Sequence, residues 1–304
     1  MPVRTVTPSF RCGYACIVGR PNVGKSTLLN NLIGQKISIT SAKPQTTRWR
    51  LLGIKTTPHW QIIFIDTPGL QNRRQSSLHR HMQGEIVESL YNVNVVIFVI
   101  EAMKWTKTEV QILRLIEKVT CPVLLLINKV DRIKNKKELL PFIAKLAGMF
   151  EFKAIMPVTA TSTDDVNTVE KRIAPLLPEA RAEYPADQIS DKNEQFFAAE
   201  FIREQLTRIL RSELPYKISV TIDDYTEKRK VLYIRGCVWV ETKSQRKIVV
   251  GKNGRVLKLV GERARRNMET LFCKKVFLEL WVKVLKEWTE NAQALKQLGY
   301  QSLP

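Results

Sequence analysis

The sequence predicts two domains of different class. Residues 1–182 read as an α/β domain, a mostly parallel sheet with helices on both faces. Residues 193–304 read as a smaller α+β domain, and residues 183–192 link the two. Three observations predict this. Short apolar runs alternate with amphipathic stretches through the first half. Pro175, Pro178 and Pro185 then punctuate a polar stretch that ends near Ser190. Beyond it the rhythm changes to a helix, two β-rich runs, two helices and a strand.

Taken in order, Tyr14–Val18, Ile62–Ile65, Val95–Ile100, Val123–Ile127 and Ala154–Val158 are short, continuous and apolar, as strands buried on both faces are. Between and after them Ser26–Ile33, Leu78–Tyr91, Thr108–Val119, Lys136–Leu146 and Asp164–Leu176 carry apolar residues at helical spacing. The second half begins with a helix over Asn193–Leu210. Strands over Lys217–Tyr225 and Val231–Val240 follow, joined by the charged turn Thr226–Lys230. Next come a short helix near Gln245–Val250, a glycine turn, a helix over Arg255–Leu271, a strand over Val276–Val284 and a last helix over about Glu287–Leu298. Phe277, Leu278, Leu280, Val282 and Val284 read as one apolar face of that final strand. Trp239, Trp281 and Trp288 read as core or groove wall rather than as stacking platforms.

Composition narrows the functional classes. Of 304 residues, 44% are hydrophobic and 26% charged, which excludes disorder over most of the length. Five cysteines without a CxxC pair argue against a disulfide framework and for a reducing, cytoplasmic setting. MPVRTVTPSF lacks the apolar core of a signal peptide, and no apolar run approaches the roughly 18–20 residues of a membrane span. The net charge of +20 predicts a polyanionic partner: nucleic acid, an acidic membrane face or acidic protein. That charge is uneven. Residues 191–304 hold 23 basic and 14 acidic side chains, and residues 246–275 alone hold 10 and 2.

Four motifs carry chemistry. Gly19-Arg20-Pro21-Asn22-Val23-Gly24-Lys25-Ser26 fits G-x-x-x-x-G-K-[ST] between a strand and a helix, with Thr27 next on that helix. Such a loop curls its N–H groups round a phosphate. Lys25 reaches the β- and γ-phosphates, and the Ser26 hydroxyl serves Mg²⁺. Asp66-Thr67-Pro68-Gly69 ends a strand about 40 residues later; Asp66 can hold Mg²⁺ through water, and the Gly69 N–H can sense the γ-phosphate. Asn128-Lys129-Val130-Asp131 ends another strand. Asp131 can accept from guanine N1–H and the 2-amino group, which adenine cannot match. Thr159-Ala160, after the last strand, offers a backbone N–H to guanine O6. In the second half, Gly251-Lys252-Asn253-Gly254, followed by Arg255 and Lys258, forms a G-x-x-G loop between two helices. Glycines there let a nucleic-acid backbone approach closely, and Lys252 supplies charge. Without that loop, Arg263, Arg265 and Arg266 read as a solvated helix face.

This set, together with KPQTTR at 43–48, SQRKIVVGKNGRVLKLVGERAR at 244–265 and VKVLKEW…LGY at 282–300, resembles the Era-like GTPases of small-subunit ribosome assembly, a translation-factor-related family. The resemblance covers almost the whole chain. It implies a P-loop GTPase domain followed by a type II KH domain, with GTP or GDP and Mg²⁺ as ligands. It also implies single-stranded RNA from the 3′ end of 16S-type rRNA and the 30S subunit as partners, in a monomer that makes peripheral contact with the inner membrane. It makes residues 43–48 switch I, where Thr46 or Thr47 completes the Mg²⁺ shell, Thr47 being preferred, and makes 66–83 switch II. Leu70 stands where Ras-like GTPases carry a water-orienting glutamine. K⁺ beside Asn22 is one candidate substitute for that glutamine, and a purely loop-shaping Asn22 is the alternative. His79 and His81 form an HxH with no further ligand at metal spacing. Two other classes fit part of the sequence: an ATPase or small-molecule kinase, opposed by Asp131, and an RNA-binding scaffold without hydrolysis, permitted by Leu70.

Overall fold

The computed structural model describes residues 10–41, 43, 46–70, 77–211 and 213–300. Contacts divide the chain into two units. The first comprises residues 1–38, 47–72 and 84–191; the second comprises 39–46, 73–83 and 192–304.

In the first unit, β1 (Arg11–Val18), β2 (Leu51–Thr56), β3 (Trp60–Asp66), β4 (Val95–Glu101), β5 (Val123–Asn128) and β6 (Ala154–Val158) form one sheet in the order β2-β3-β1-β4-β5-β6. All neighbours are parallel except β2 and β3. Strands at the centre are apolar throughout: Val95–Ile100 and Val123–Ile127 are buried at every position, because helices cover both faces. The covering helices in this unit are α1 (Lys25–Ile33), the part of α2 (Ser77–Ser89) from Gly84 onward, α3 (Lys107–Ile116), α4 (Leu139–Ala147) and α5 (Thr163–Ile173). Their starts are encoded locally. Thr106 and Glu109 close a capping box on α3, and the Ser162 hydroxyl accepts from the Asp165 N–H to cap α5.

β2 is a strand that the sequence reading passed over. Gly53 sits in its middle because a Cβ there would lie 2.7 Å from Leu29 and 3.0 Å from Ile37, so α1 packs directly on its backbone. The stretch read as a link is also fixed to this sheet. Gln61, fully buried in β3, accepts from the Glu183 and Tyr184 N–H groups at 2.8 and 3.0 Å. The Ser190 hydroxyl donates to Leu52 O at 2.6 Å, and Ile54 N–H donates to Ile189 O at 2.9 Å.

The second unit holds α6 (Glu194–Ile209), β7 (Ser219–Lys228), β8 (Val231–Val240), α7 (Lys243–Val250), α8 (Arg255–Phe272), β9 (Lys275–Val284) and α9 (Ala292–Gln297). Its sheet runs β7-β8-β9, with β7 and β8 antiparallel and β8 and β9 parallel, the type II KH arrangement. Trp288 belongs to the core: it is fully buried, stacks on Tyr300 at 5.9 Å and donates from Nε1 to Lys217 O. Trp281 does not, being 53% exposed, and Phe277 lies on the same outward face at 56%. The strand alternates, so Phe277 points away from Leu278, Leu280 and Val282 rather than with them. Among the described residues no helix is long and apolar enough to cross a membrane.

Candidate functional site

The parallel strands all end on one edge of the sheet, where the loops of an α/β fold bind ligands. Register aligns those ends: Ile17 of β1 lies opposite Asp66, Glu101 opposite Asn128, and Asn128 opposite Val158. The phosphate loop, DTPG, NKVD and the Thr159–Ala160 turn therefore share one edge.

The loop backbone is built to curl. Asn22 and Gly24 adopt φ of 64° and 107°. A Cβ on Gly24 would fall 2.1 Å from Asn128 Nδ2. Asn128 holds this arrangement by donating from Nδ2 to Val23 O at 2.7 Å and accepting at Oδ1 from the Lys129 and Ala160 N–H groups. Gly69 presses on the same loop, since a Cβ there would sit 2.7 Å from the Pro21 nitrogen.

Lys25 is 6% exposed and caps the loop from inside, donating to Gly19 O at 3.0 Å and Arg20 O at 3.1 Å. Burial pushes its pKa down to about 8, with Asp66 partly opposing the shift. The ammonium is thus desolvated and held ready for a polyphosphate. Beside it, Ser26 Oγ lies 2.9 Å from Thr47 Oγ1 and donates to Asp66 Oδ2, also at 2.9 Å. Ser38 Oγ donates to the same oxygen. Asp66 is fully buried; burial raises its pKa, and Lys25 and the two serines oppose that. Its Oδ1 is buried without a partner of hydrogen-bonding geometry. An orphaned carboxylate oxygen among hydroxyls is the donor set a hard divalent cation takes, so these residues fit Mg²⁺. The Thr46 hydroxyl turns elsewhere, donating to Lys43 O at 2.7 Å.

At the base end the expected guanine contacts have partners of their own within the protein. Asp131 is exposed, touched only loosely by the Thr159 hydroxyl at 3.4 Å, so its carboxylate becomes buried only beneath a bound base. The backbone donors assigned to guanine O6 are engaged within the protein: Thr159 N–H donates to Asp165 Oδ2 at 2.7 Å and Ala160 N–H to Asn128 Oδ1 at 2.9 Å. These tertiary partners are invisible in a linear motif. Lys129, at φ 67°, donates to Asn22 O at 2.6 Å and pairs with Glu101 at 3.1 Å. Burial alone would raise the Glu101 carboxyl, but Lys104 and Lys129 hold it down to about 2. Sequence reasoning missed Glu101, although an acid ending an apolar strand at the ligand edge is a readable signal.

Pro44, Gln45 and residues 71–76 of the two switch segments lie outside the described residues, as do the His79 and His81 side chains. Among the described residues there is no cluster of three or more His, Cys, Asp or Glu side chains suited to a metal. Residues 39–46 are held within the second unit. Thr40 N–H donates to Glu204 Oε1 at 3.0 Å, Arg208 donates to Thr40 O, and Arg203 donates to Thr46 O.

In the second unit the G-x-x-G loop connects α7 and α8. Gly251 and Gly254 have φ of 74° and 75°, with Asn253 at 52°. A Cβ on Gly251 would lie 2.5 Å from Val256, whereas nothing lies within 4 Å of one on Gly254. Lys252, Asn253, Arg255 and Lys258 are all exposed. A cleft of ≈ 520 Å³ opens beside the loop between α8 and β9. Besides Gly254 and Lys258, its helix wall uses Leu257, Gly261, Glu262 and Arg265. The sequence reading weighed Arg265 only as one of three charged neighbours and missed Leu257, Gly261 and Glu262, although with Gly254 and Lys258 they recur at the three- and four-residue spacing of one helix face. Arg265 is thereby separated from Arg263 and Arg266, which do not line the cleft.

Comparison with known proteins agrees at each level. Residues 14–129 match the family model of the 50S ribosome-binding GTPases, and residues 213–289 match that of the KH domain. GTPase Era of Coxiella burnetii is 47% identical over 290 residues, covering 95% of this chain and 98% of the relative. GTPase Era of Pseudomonas aeruginosa is 44% identical over 293 residues, 96% of each. Among solved structures, Era in complex with MgGDPNP and nucleotides 1506–1542 of 16S ribosomal RNA superposes with a TM-score of 0.91 at 37% identity, covering 96% of this chain and 99% of that one. A variant of Aquifex aeolicus Era bound to GDP·AlF4⁻ also gives 0.91, at 36% identity and the same coverage. With identity of this order over nearly its full length, the chain belongs to the Era family of GTPases.

Proposed function

We infer that this chain is a molecular switch that hydrolyses GTP, binds single-stranded RNA from the 3′ end of 16S rRNA, and assists maturation of the 30S subunit. One observation carries the reading: Lys25, Ser26, Thr47, Asp66 and the Asn128 brace converge on a single sheet edge, in a chain whose second unit is a KH domain.

The loop N–H groups and Lys25 receive the β- and γ-phosphates, where the dehydrated ammonium regains a counter-charge. Ser26 and Thr47 would hold Mg²⁺ directly and Asp66 through water, and the ion held there would supply positive charge against the phosphates. The Gly69 N–H, kept on the loop by contact with Pro21, is placed to feel the γ-phosphate. Asp131 takes guanine N1–H and the 2-amino group. Ala160 N–H reaches O6 only by releasing or sharing Asn128 Oδ1. Leu70 cannot orient water by hydrogen bonding, so intrinsic turnover is slow. A K⁺ beside Asn22 would offset charge developing at the β–γ bridge, the alternative being an Asn22 that only shapes the loop.

Loss of the γ-phosphate frees Thr47, and the neighbouring residues 39–46 are the ones α6 holds. RNA and GTP then favour each other by linkage. The site of action is the 30S subunit in the cytoplasm, with the chain as a monomer; its +20 charge suits peripheral contact with the anionic inner membrane as a second location.

The test is displacement of a labelled guanine nucleotide, followed by hydrolysis with and without a 16S 3′-end strand. GTP displaces the label, ATP at a hundredfold excess does not, and RNA raises the rate. Equal competition by ATP would remove the reading, and equal rates in K⁺ and Na⁺ would remove the potassium ion alone.

A further inference from the structure

Neither the nucleotide edge nor the G-x-x-G cleft uses the outward face of the KH sheet. Register sets Tyr233 opposite Phe277, Arg235 opposite Glu279, Cys237 opposite Trp281 and Trp239 opposite Lys283. Alternation sends these odd positions of β8 and β9 to one face. The even positions face the helices: a Cβ on Gly236 would come within 3.0 Å of Ile202 in α6. On the odd face Cys237 is buried between its larger neighbours, but the rings around it are open to solvent. Phe277 is 56%, Trp281 53% and Tyr233 40% exposed. Three aromatic rings left in water on one small sheet forgo substantial burial, which points to an interaction surface.

The rings are arranged. Tyr233 and Phe277 sit with centroids 5.4 Å apart at 43°, a paired platform at one end of the face. Arg235 and Glu279 bridge the next row at 3.1 Å, and Trp281 stands beyond it. The Lys283 ammonium lies 5.4 Å from the Trp239 ring centroid.

Two observations choose the occupant. First, Phe277 lines the G-x-x-G cleft and also a second hollow of ≈ 170 Å³ on the sheet face, shared with Tyr233, Arg235 and Lys228. Cleft and sheet face therefore meet at the Phe277 ring and at Glu279, whose carboxylate is paired with Arg235. Second, the platform end is fringed with positive charge. Lys228, Arg229 and Lys230 of the hairpin and Lys275 at the start of β9 are exposed there, against the acids Asp224, which lines the hollow, and Glu227, which is taken by Lys274 at 2.8 Å. Rings on an open sheet with cations around them hold unpaired bases by stacking and their phosphates by charge. A second copy of the chain, docked about a two-fold axis, would set this cationic fringe against itself.

We propose that the outward face of β8 and β9 is a base-stacking subsite for single-stranded RNA, entered from the G-x-x-G cleft across Phe277 and continued over Tyr233 toward Trp281. This rests on reading the cleft as an RNA groove and extends its footprint beyond the roughly four nucleotides such a groove takes.

The experiment compares two fluorescein-labelled single strands on the full-length chain by anisotropy. One is about four nucleotides long and fills the cleft alone; the other is about ten, with the same four at one end. Tyr233→Ala and Trp281→Ala each leave the short strand's affinity unchanged and weaken the long strand by about 5- to 150-fold, the range for losing one stacked base. Tyr233→Phe keeps the platform and restores long-strand affinity. Parent-like binding of the long strand by both alanine variants overturns the subsite. So does a parent chain that sediments as a dimer and becomes monomeric in those variants, because the face would then join protein copies. Failure of the parent to bind either strand strikes instead at the cleft itself, so the two failures are separable. Unchanged short-strand affinity in each variant shows that the KH domain is folded, and unchanged GTP affinity shows the same of the nucleotide-binding domain.

Discussion

The phosphate loop and the G-x-x-G loop are both glycine turns that open a helix and meet phosphates, yet they are built differently. Around Gly24 the protein has already filled the space a side chain would need: a Cβ meets Asn128 at 2.1 Å. Around Gly254 nothing stands within 4 Å. Lys25 is sealed inside its loop, whereas Lys252 is exposed. The first loop is a mould whose shape is set by contacts across the sheet edge. The second is an open approach, where glycine keeps the surface bare and charge does the holding. A site for one compact triphosphate gains from enclosure, and a site for a running polymer gains from accessibility.

The largest expected effect breaks the mould. Gly24→Ala combines a φ of 107° with an occupied Cβ position, so guanine-nucleotide affinity falls by at least about a hundredfold in a fluorescence titration. The matching change at Gly254 meets only the cost of a left-handed alanine, about 1–2 kcal/mol, and shifts RNA affinity by no more than that. If Gly24→Ala bound nucleotide normally, the contrast between the loops would be wrong.

Next in size is the charge of the open loop. Lys252→Asp with Asn253→Asp lowers RNA affinity by about ten- to a hundredfold and flattens its salt dependence, leaving nucleotide affinity intact. Loss of both activities together would mean that the double change unfolds the chain.

The smallest effect sharpens the account of enclosure. The free Lys25 ammonium titrates near pH 8, and bound phosphate raises that value. Binding above pH 8 therefore takes up a proton, so GTP affinity is flat well below pH 8 and drops by about fivefold from pH 8 to 9. Lys25→Ala removes this dependence. A profile flat to pH 9.5 in the unaltered chain would show that the ammonium is not desolvated.

Much of this was legible in the residues alone. The apolar runs at 95–100 and 123–127 could only be central strands, and the loops at 19–26, 66–69 and 128–131 follow strands in the order that brings them to one edge. Legibility failed where a residue's role depends on a distant partner. β2 carries a glycine that breaks its pattern, for a reason that lies in Leu29 and Ile37. The Ala160 N–H expected at guanine O6 donates to Asn128, and Gln61 looks like an ordinary polar residue until Glu183 and Tyr184 bind it. Five apolar residues in a short strand resemble one stripe, but the strand's alternation places Phe277 on the face opposite Leu278, Leu280 and Val282.

Thr46 and Thr47 are joined by one peptide, and each is spoken for. Arg203 grips the Thr46 carbonyl, while the Thr47 hydroxyl rests 2.9 Å from Ser26. Adjacent Cα atoms are about 3.8 Å apart across a trans peptide, so this leash has almost no slack. Any movement of residue 47 away from Ser26 must be absorbed within that one peptide, next to a carbonyl already held in place.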